Sequence, residues 1–270
     1  ITMFNTAEVS SYDNSATGLT ATNVQDALDE VKNDYGPWKN EVETRIAQLP
    51  GLTPDVTVTT TGADDLKNAV DAMTDGQVLE VQANGSYNPF QLPAGKRLII
   101  KVADGYTPKL IGAGAIQVQD GAAYCTVSGF LCDGNTLPGS DPHGRGSCIS
   151  VDHEAQASHM IFHDITMTNC ASGSNAVVWS YHQSVSGDNY ATAPTLSEFS
   201  DHIAFVNCRT SHASVGNAIE GAHFIIRGVD HLYLKDNYCN GVNPGNDDDS
   251  RGFLLQDCIN VWVEANLIAN

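Results

Sequence analysis

Two carboxylates, Glu220 and Asp249, hold equivalent places in consecutive copies of a short repeat. Each stands four residues ahead of an apolar run, Phe224-Ile-Ile-Arg227 and Phe253-Leu-Leu-Gln256. If those runs are neighbouring parallel strands, the carboxyl groups lie about 5 Å apart. Retaining glycoside hydrolysis holds its acid and its nucleophile at about 5–5.5 Å. Like charges that close raise one pKa, as a general acid requires. Two solvated acidic turns would produce the same column.

The same alignment yields a second column. Three residues into successive runs stand Asp152, Trp179, Arg227 and Gln256, alternating outward from the apolar positions. An acid, an indole, a guanidinium and an amide on one face suit a glycan, with Arg227 for acidic groups and Trp179 for a sugar ring. One connection is much longer than its counterparts. Its extra residues, Ser180 to Ser200, carry Tyr181, His182, Asp188, Tyr190 and Glu198. Insertions in repeat proteins decorate one binding face, which brings Tyr181 and Tyr190 into the candidate set. A packing flap is the alternative.

Nine histidines raise the question of a metal. His159 and His163, in one strand, would stand ~13 Å apart and cannot share an ion. Asp247-Asp248-Asp249 lacks the spaced ligands of a calcium loop and reads as a solvated turn. No Ser/His/Asp order and no Gly-rich phosphate loop is present. The 7 cysteines show no CxxC or Cys/His spacing. They read as small apolar filler inside the fold, reduced and buried, with disulfides as the alternative. No metal and no cofactor is expected.

An internal repeat supplies the elements that must carry these residues. Four segments read as short strands: Ile149-Ser-Val-Asp152, Ala176-Val-Val-Trp179, Phe224-Ile-Ile-Arg227 and Phe253-Leu-Leu-Gln256. Each is followed by a second strand behind a His or Asn: His159-Met-Ile-Phe162, His202-Ile-Ala-Phe205, His231-Leu-Tyr-Leu234 and Asn260-Val-Trp-Val263. Thr126-Val-Ser-Gly-Phe130 is an earlier copy. The step from Phe224 to Phe253 equals that from His231 to Asn260. Strands this short, repeated with Asn and Gly at the turns, predict a mainly β fold, a right-handed parallel β-helix from about residue 53. Asn207, Asn237 and Asn266 fall at matching turn positions and are expected to stack and hydrogen-bond up the coils, ligand-binding amides being the alternative.

Ahead of the coils, Thr22-Asn-Val-Gln25 forms a capping box. Val24, Leu28, Val31, Tyr35, Trp38, Val42 and Leu49 then follow a heptad spacing, with Arg45 in the one missing slot. Gly36-Pro37 predicts a break into two short helices. A narrow a/d seam implies copies packing together; the alternative is an amphipathic pair lying on its own domain. Domain limits follow: a short coiled-coil-like helical stalk over 1–51, the opening of the β-helix with a capping helix over 52–114, and coils over 115–270. That helix begins at Asp64-Asp65-Leu66 and would plug the first coil, covering an open edge. The strand Val261-Trp-Val263, close to Asn270, predicts that the coils continue beyond it.

Composition narrows the function. Net charge is −19, with 32 acidic against 13 basic residues, which argues against nucleic-acid binding. No apolar run reaches the ~20 residues of a membrane span, and no signal peptide opens the sequence.

Tyr12 to Glu30, reading YDNSATGLTATNVQDALDE, resembles a segment recurrent in bacteriophage tail-fibre and other virion proteins. Asp65 to Gly85, followed by Tyr87, resembles the opening coil of pectate-lyase-like β-helix proteins, phage tailspikes and polysaccharide lyases among them. The resemblance implies a virion protein on the phage tail, extracellular when it meets the host. It further implies a homotrimer attached to other phage tail proteins through the N-terminal segment, binding capsule or lipopolysaccharide glycan. The alternative function is a polysaccharide depolymerase, hydrolase or lyase, on the same scaffold. No family catalytic motif matches, so Glu220 and Asp249 rest on their column alone.

Overall fold

The computed structural model describes residues 24–112, 114–134, 147–151, 155–170, 174–180, 196–213, 222–242 and 251–269. The chain divides into two compact units, Ile1–Arg45 and Ile46–Asn270. Helix α1 runs from Val24 to Gln48 with Pro37 inside it, so Gly36-Pro37 does not split it as the sequence predicts. Proline removes one donor and crowds the carbonyl four residues back. Beyond it, Lys39–Glu43 at 4.0 Å and Arg45–Glu41 at 3.2 Å form i,i+4 ion pairs that support the following turns.

From Val56 onward the chain winds through three sheets in a fixed order, and every strand pairing is parallel. Sheet A stacks Val56–Val58, Val78–Val81, Ile99–Val102, Thr126–Ser128, Ser158–His163, Ser200–Val206, Val229–Lys235 and Ile259–Glu264. Sheet B stacks Ser86–Tyr87, Lys109–Ile111, Leu131–Asp133, Thr166–Cys170, Arg209–Ala213, Tyr238–Val242 and Leu267–Ala269. Sheet C stacks Phe90–Leu92, Ile116–Val118, Ile149–Val151, Ala176–Trp179, Ala222–Arg227 and Arg251–Gln256. This is a parallel β-helix. Helix α2, Asp65–Ala72, stands in the first coil where sheets B and C would begin. Its Leu66 and Val70, with Met73 just beyond, are buried in the same core as Val58, Leu79, Tyr87 and Phe90.

Inside, alternate residues of each strand stack on their counterparts one coil away. Phe162 lies on Phe205 at 5.0 Å, and Phe224 on Phe253 at 4.9 Å. Cys125, Cys132, Cys148, Cys170, Cys208 and Cys239 are buried free thiols, and Cys258 is half-buried.

The corner from sheet A to sheet B is uniform in the later coils. Asp164, Asn207, Asp236 and Ala265 open it in the left-handed region, with Gly129 at φ 91° one coil earlier. Asx side chains tolerate that conformation better than most, and glycine tolerates it best. The matched asparagines differ from expectation by one residue. Val206 pairs with Lys235, which puts Asn207 opposite Asp236, while Cys208 stands opposite Asn237. Only Asn237 and Asn266 share a column.

Candidate functional site

Sheet C carries the outward strip. Its register is Ile149–Ala176–Phe224–Phe253, as the repeat predicts. Trp179 is therefore paired with Arg227, and Arg227 with Gln256. The Arg227 guanidinium carbon sits 4.2 Å from the Trp179 ring centroid, a cation–π contact. One indole face is thus covered by the guanidinium. Arg227 is 4% exposed, whereas Trp179 and Gln256 are half-buried. Beside them Val177, Ala222 and Ile225, with Leu254, form an apolar cluster separate from the interior core. Sheet C is also the sheet with long connections on both flanks. Residues 134–148 precede Ile149–Val151, and Ser180 to Phe199 follow Ala176–Trp179, whereas only Gly228 follows Arg227. Asp152, Tyr181, Tyr190, Glu220 and Asp249 lie outside the described residues.

A second constellation lies along sheet A. Tyr124, His159, His202 and His231 occupy one position in consecutive coils, all at positive φ near 52–58°. Their rings stack at 4.2, 4.3 and 4.3 Å, and successive imidazoles are tilted by only 8°. Asn260 continues the column at φ 53°. The residues before His202 and His231 supply carboxylates, whereas Ser158 precedes His159 and Ala123 precedes Tyr124. Asp201 Oδ1 lies 2.6 Å from His202 Nδ1 and 3.3 Å from His231 Nδ1; Asp230 Oδ1 lies 3.0 Å from His231 Nδ1. Asn260 Nδ2 donates to Asp230 at 2.7 Å. Hydrogen bonds to Asp201 and Asp230 push His231 up to about 9. Burial works to raise Asp201, yet hydrogen bonds from His202 and His231 hold it well below the usual carboxylate range.

Two triads in this column could hold a metal: His159, Asp201 and His202, and Asp201, Asp230 and His231, each with ligand atoms within 4.8 Å of one another. Along their shared strand, Ser158–His163, His159 and His163 are too far apart to meet. The histidines that meet are instead one coil apart, and the signal was their matching place at the head of three repeated strands.

No protein-family model matches the sequence, and no curated protein matches it. Among solved structures the chain is similar to a polygalacturonase from Erwinia carotovora, with 10% identity and a TM-score of 0.51. That match covers 80% of this chain and 62% of the polygalacturonase. An alginate lyase from a Paenibacillus species aligns over 77% of this chain and 75% of its own, with 13% identity and a TM-score of 0.41. The polygalacturonase likeness agrees with the all-parallel sheets: the chain has a parallel β-helix fold.

Proposed function

We propose that this chain is the β-helical part of a bacteriophage tailspike or tail fibre that binds a host-surface glycan, capsule or lipopolysaccharide, on the outward face of sheet C. The observation that carries the reading is the Trp179–Arg227–Gln256 column on the sheet flanked by the longest connections. Arg227, buried against the indole, would hold Trp179 in place through its cation–π contact, while the indole edge and the Gln256 amide would pack against and hydrogen-bond ring hydroxyls. Asp152, Tyr181 and Tyr190 belong to the same proposed surface. Residues 1–51 would join it to other tail proteins, with three copies assembled through the heptad seam.

The experiment is binding of the chain to a panel of immobilised capsular and lipopolysaccharide glycans. Trp179→Ala, Gln256→Ala and Arg227→Lys, each with unchanged melting, should weaken the best binder by about tenfold or more. Lysine keeps the charge and loses the planar fork. Absence of binding to every glycan, or full affinity in all three variants, rejects the reading.

The shared fold with a polygalacturonase favours one second reading, a polysaccharide depolymerase with Glu220 and Asp249 as acid and nucleophile. Reducing ends released from the bound glycan, and lost in both Glu220→Gln and Asp249→Asn, would support it.

A further inference from the structure

We propose that the imidazole column of sheet A binds one divalent transition-metal ion, of the class of Zn2+ or Co2+, through His159, Asp201 and His202. Two observations point to these residues, the proximity of their ligand atoms and the chemistry of the donor set. Their ligand atoms already lie within 4.8 Å of one another. A tetrahedral ion at about 2.1 Å from each ligand needs them about 3.4 Å apart, so the side chains must draw in by roughly an ångström. The two imidazoles stack almost parallel at 4.3 Å; one ring must swing out of the stack to point at the ion, a side-chain rotation that leaves the backbone in place. The donor set, two imidazoles and one carboxylate, matches Zn2+, Co2+, Ni2+ or Cu2+, not the all-oxygen cages of Ca2+ or Mg2+.

The surroundings also fix the backbone that carries the ligands. Sheet A pairs Ser158 with Asp201 and Met160 with Ile203, so the left-handed residues between them are pinned on both sides. Asp201 accepts a second imidazole, His231 Nδ1 at 3.3 Å, and His231 is in turn bonded to Asp230 at 3.0 Å. An outer shell of that kind orients a ligating carboxylate. A water would fill the fourth place on the ion.

The test uses the untagged chain and Co2+, whose visible absorption reports coordination by nitrogen and oxygen. Titration should produce bands that saturate at one equivalent and are displaced by Zn2+, together with a higher melting temperature. The diagnostic variant is His159→Asn with His202→Asn. Asn260 holds the next place in the same column at φ 53°, so the backbone accepts asparagine there. The double variant should fold, melt normally without metal, and lose both the bands and the melting shift. Asp201→Asn should weaken Co2+ by about tenfold or more, and serves alone if the double variant does not fold. The proposal is overturned by absent bands, by bands retained in the double variant or undiminished in Asp201→Asn, or by Ca2+ raising the melting temperature as much as Zn2+.

Discussion

Asn237 and Asn266, one coil apart, are tied by two hydrogen bonds into the same oxygen. Asn266 Oδ1 accepts both the Asn237 backbone N–H at 2.9 Å and the Asn237 side-chain Nδ2 at 2.8 Å. The pattern repeats upward, where Asn237 Oδ1 accepts the Cys208 backbone N–H at 3.0 Å. Each Nδ2 also donates to a carbonyl of the preceding coil, Phe205 for Asn237 and Leu234 for Asn266, both at 2.9 Å. The turn's main-chain groups are thereby satisfied without water.

Asn237 is 1% exposed, so Asn237→Ala strands several buried polar groups at once. At about 1–3 kcal/mol for each unsatisfied group, the expected loss is about 3 kcal/mol in urea unfolding. Asn266→Ala, at a half-buried position, should lose clearly less. Equal losses at the two sites would contradict the ladder account.

Lys101, 6% exposed, forms an ion pair with Glu80 at 2.7 Å and donates to the carbonyls of Leu49 at 3.0 Å and Leu52 at 2.9 Å. That hydrogen bond, with a second from Gln82, holds Glu80 below its ordinary pKa. Lys101→Met leaves a largely buried carboxylate without its cation and should lose about 3–5 kcal/mol. Adding Glu80→Gln should restore part of that loss. A double variant no more stable than Lys101→Met alone would place the main effect in the two carbonyls rather than in the ion pair.

Sheets A and C were legible because their strands are apolar runs at a constant step; Phe224 and Phe253 pair as the repeat predicts. Sheet B was not. Its strands, such as Arg209-Thr-Ser-His-Ala213 and Thr166-Met-Thr-Asn-Cys170, bury small or polar inward residues in Thr210 and Cys170, with Met167 the one long apolar side chain. A three-to-five-residue strand with so little apolar content has no readable period. The asparagine column slipped by one because Asn207 and Asn237 both follow sheet A, and only the pairing of Val206 with Lys235 separates their places. The imidazole column was visible as the heads of three repeated strands, His159, His202 and His231; what no local pattern encodes is that their rings stack and that two of them share Asp201. For the strip, the Trp179–Arg227 register was legible, while the burial of Arg227 depends on packing that no local pattern encodes.

Burial pushes the thiols of Cys132 and Cys148 well above the ordinary value, Cys208 up to about 12 and Cys239 up to about 11. Alkylation needs the thiolate and an approach path, and both are lacking here. At pH 8 the native chain should react slowly, with half-buried Cys258 fastest. In denaturant without reductant, mass spectrometry should find all 7 cysteines alkylated. Three intact disulfides, or rapid modification of several thiols in the folded chain, would sink this account.

His223 is fully buried, and burial lowers its pKa to about 4. Its Nδ1 lies 3.0 Å from the Asn175 side-chain nitrogen, which donates to the neutral ring, and the Asn175 backbone N–H donates to the His223 carbonyl at 2.9 Å. A proton on Nδ1 would oppose the first of these. In the unfolded chain His223 titrates near its ordinary value of about 6.5. Between those two values the unfolded state binds the extra proton and the folded state does not, so stability falls as pH drops from 6.5 toward 4. Above 6.5 both states are neutral at this site and the contribution is fully present. A gap of that size corresponds to about 3 kcal/mol, spread across the window. The measurement is urea unfolding at pH 7, 6, 5 and 4 for the wild type and for His223→Gln, which has no titrating ring. The variant should start less stable at pH 7 and lose less on acidification, so that the two curves converge toward pH 4. Parallel curves would mean that the imidazole is already solvated in the folded chain and that the acid sensitivity lies elsewhere.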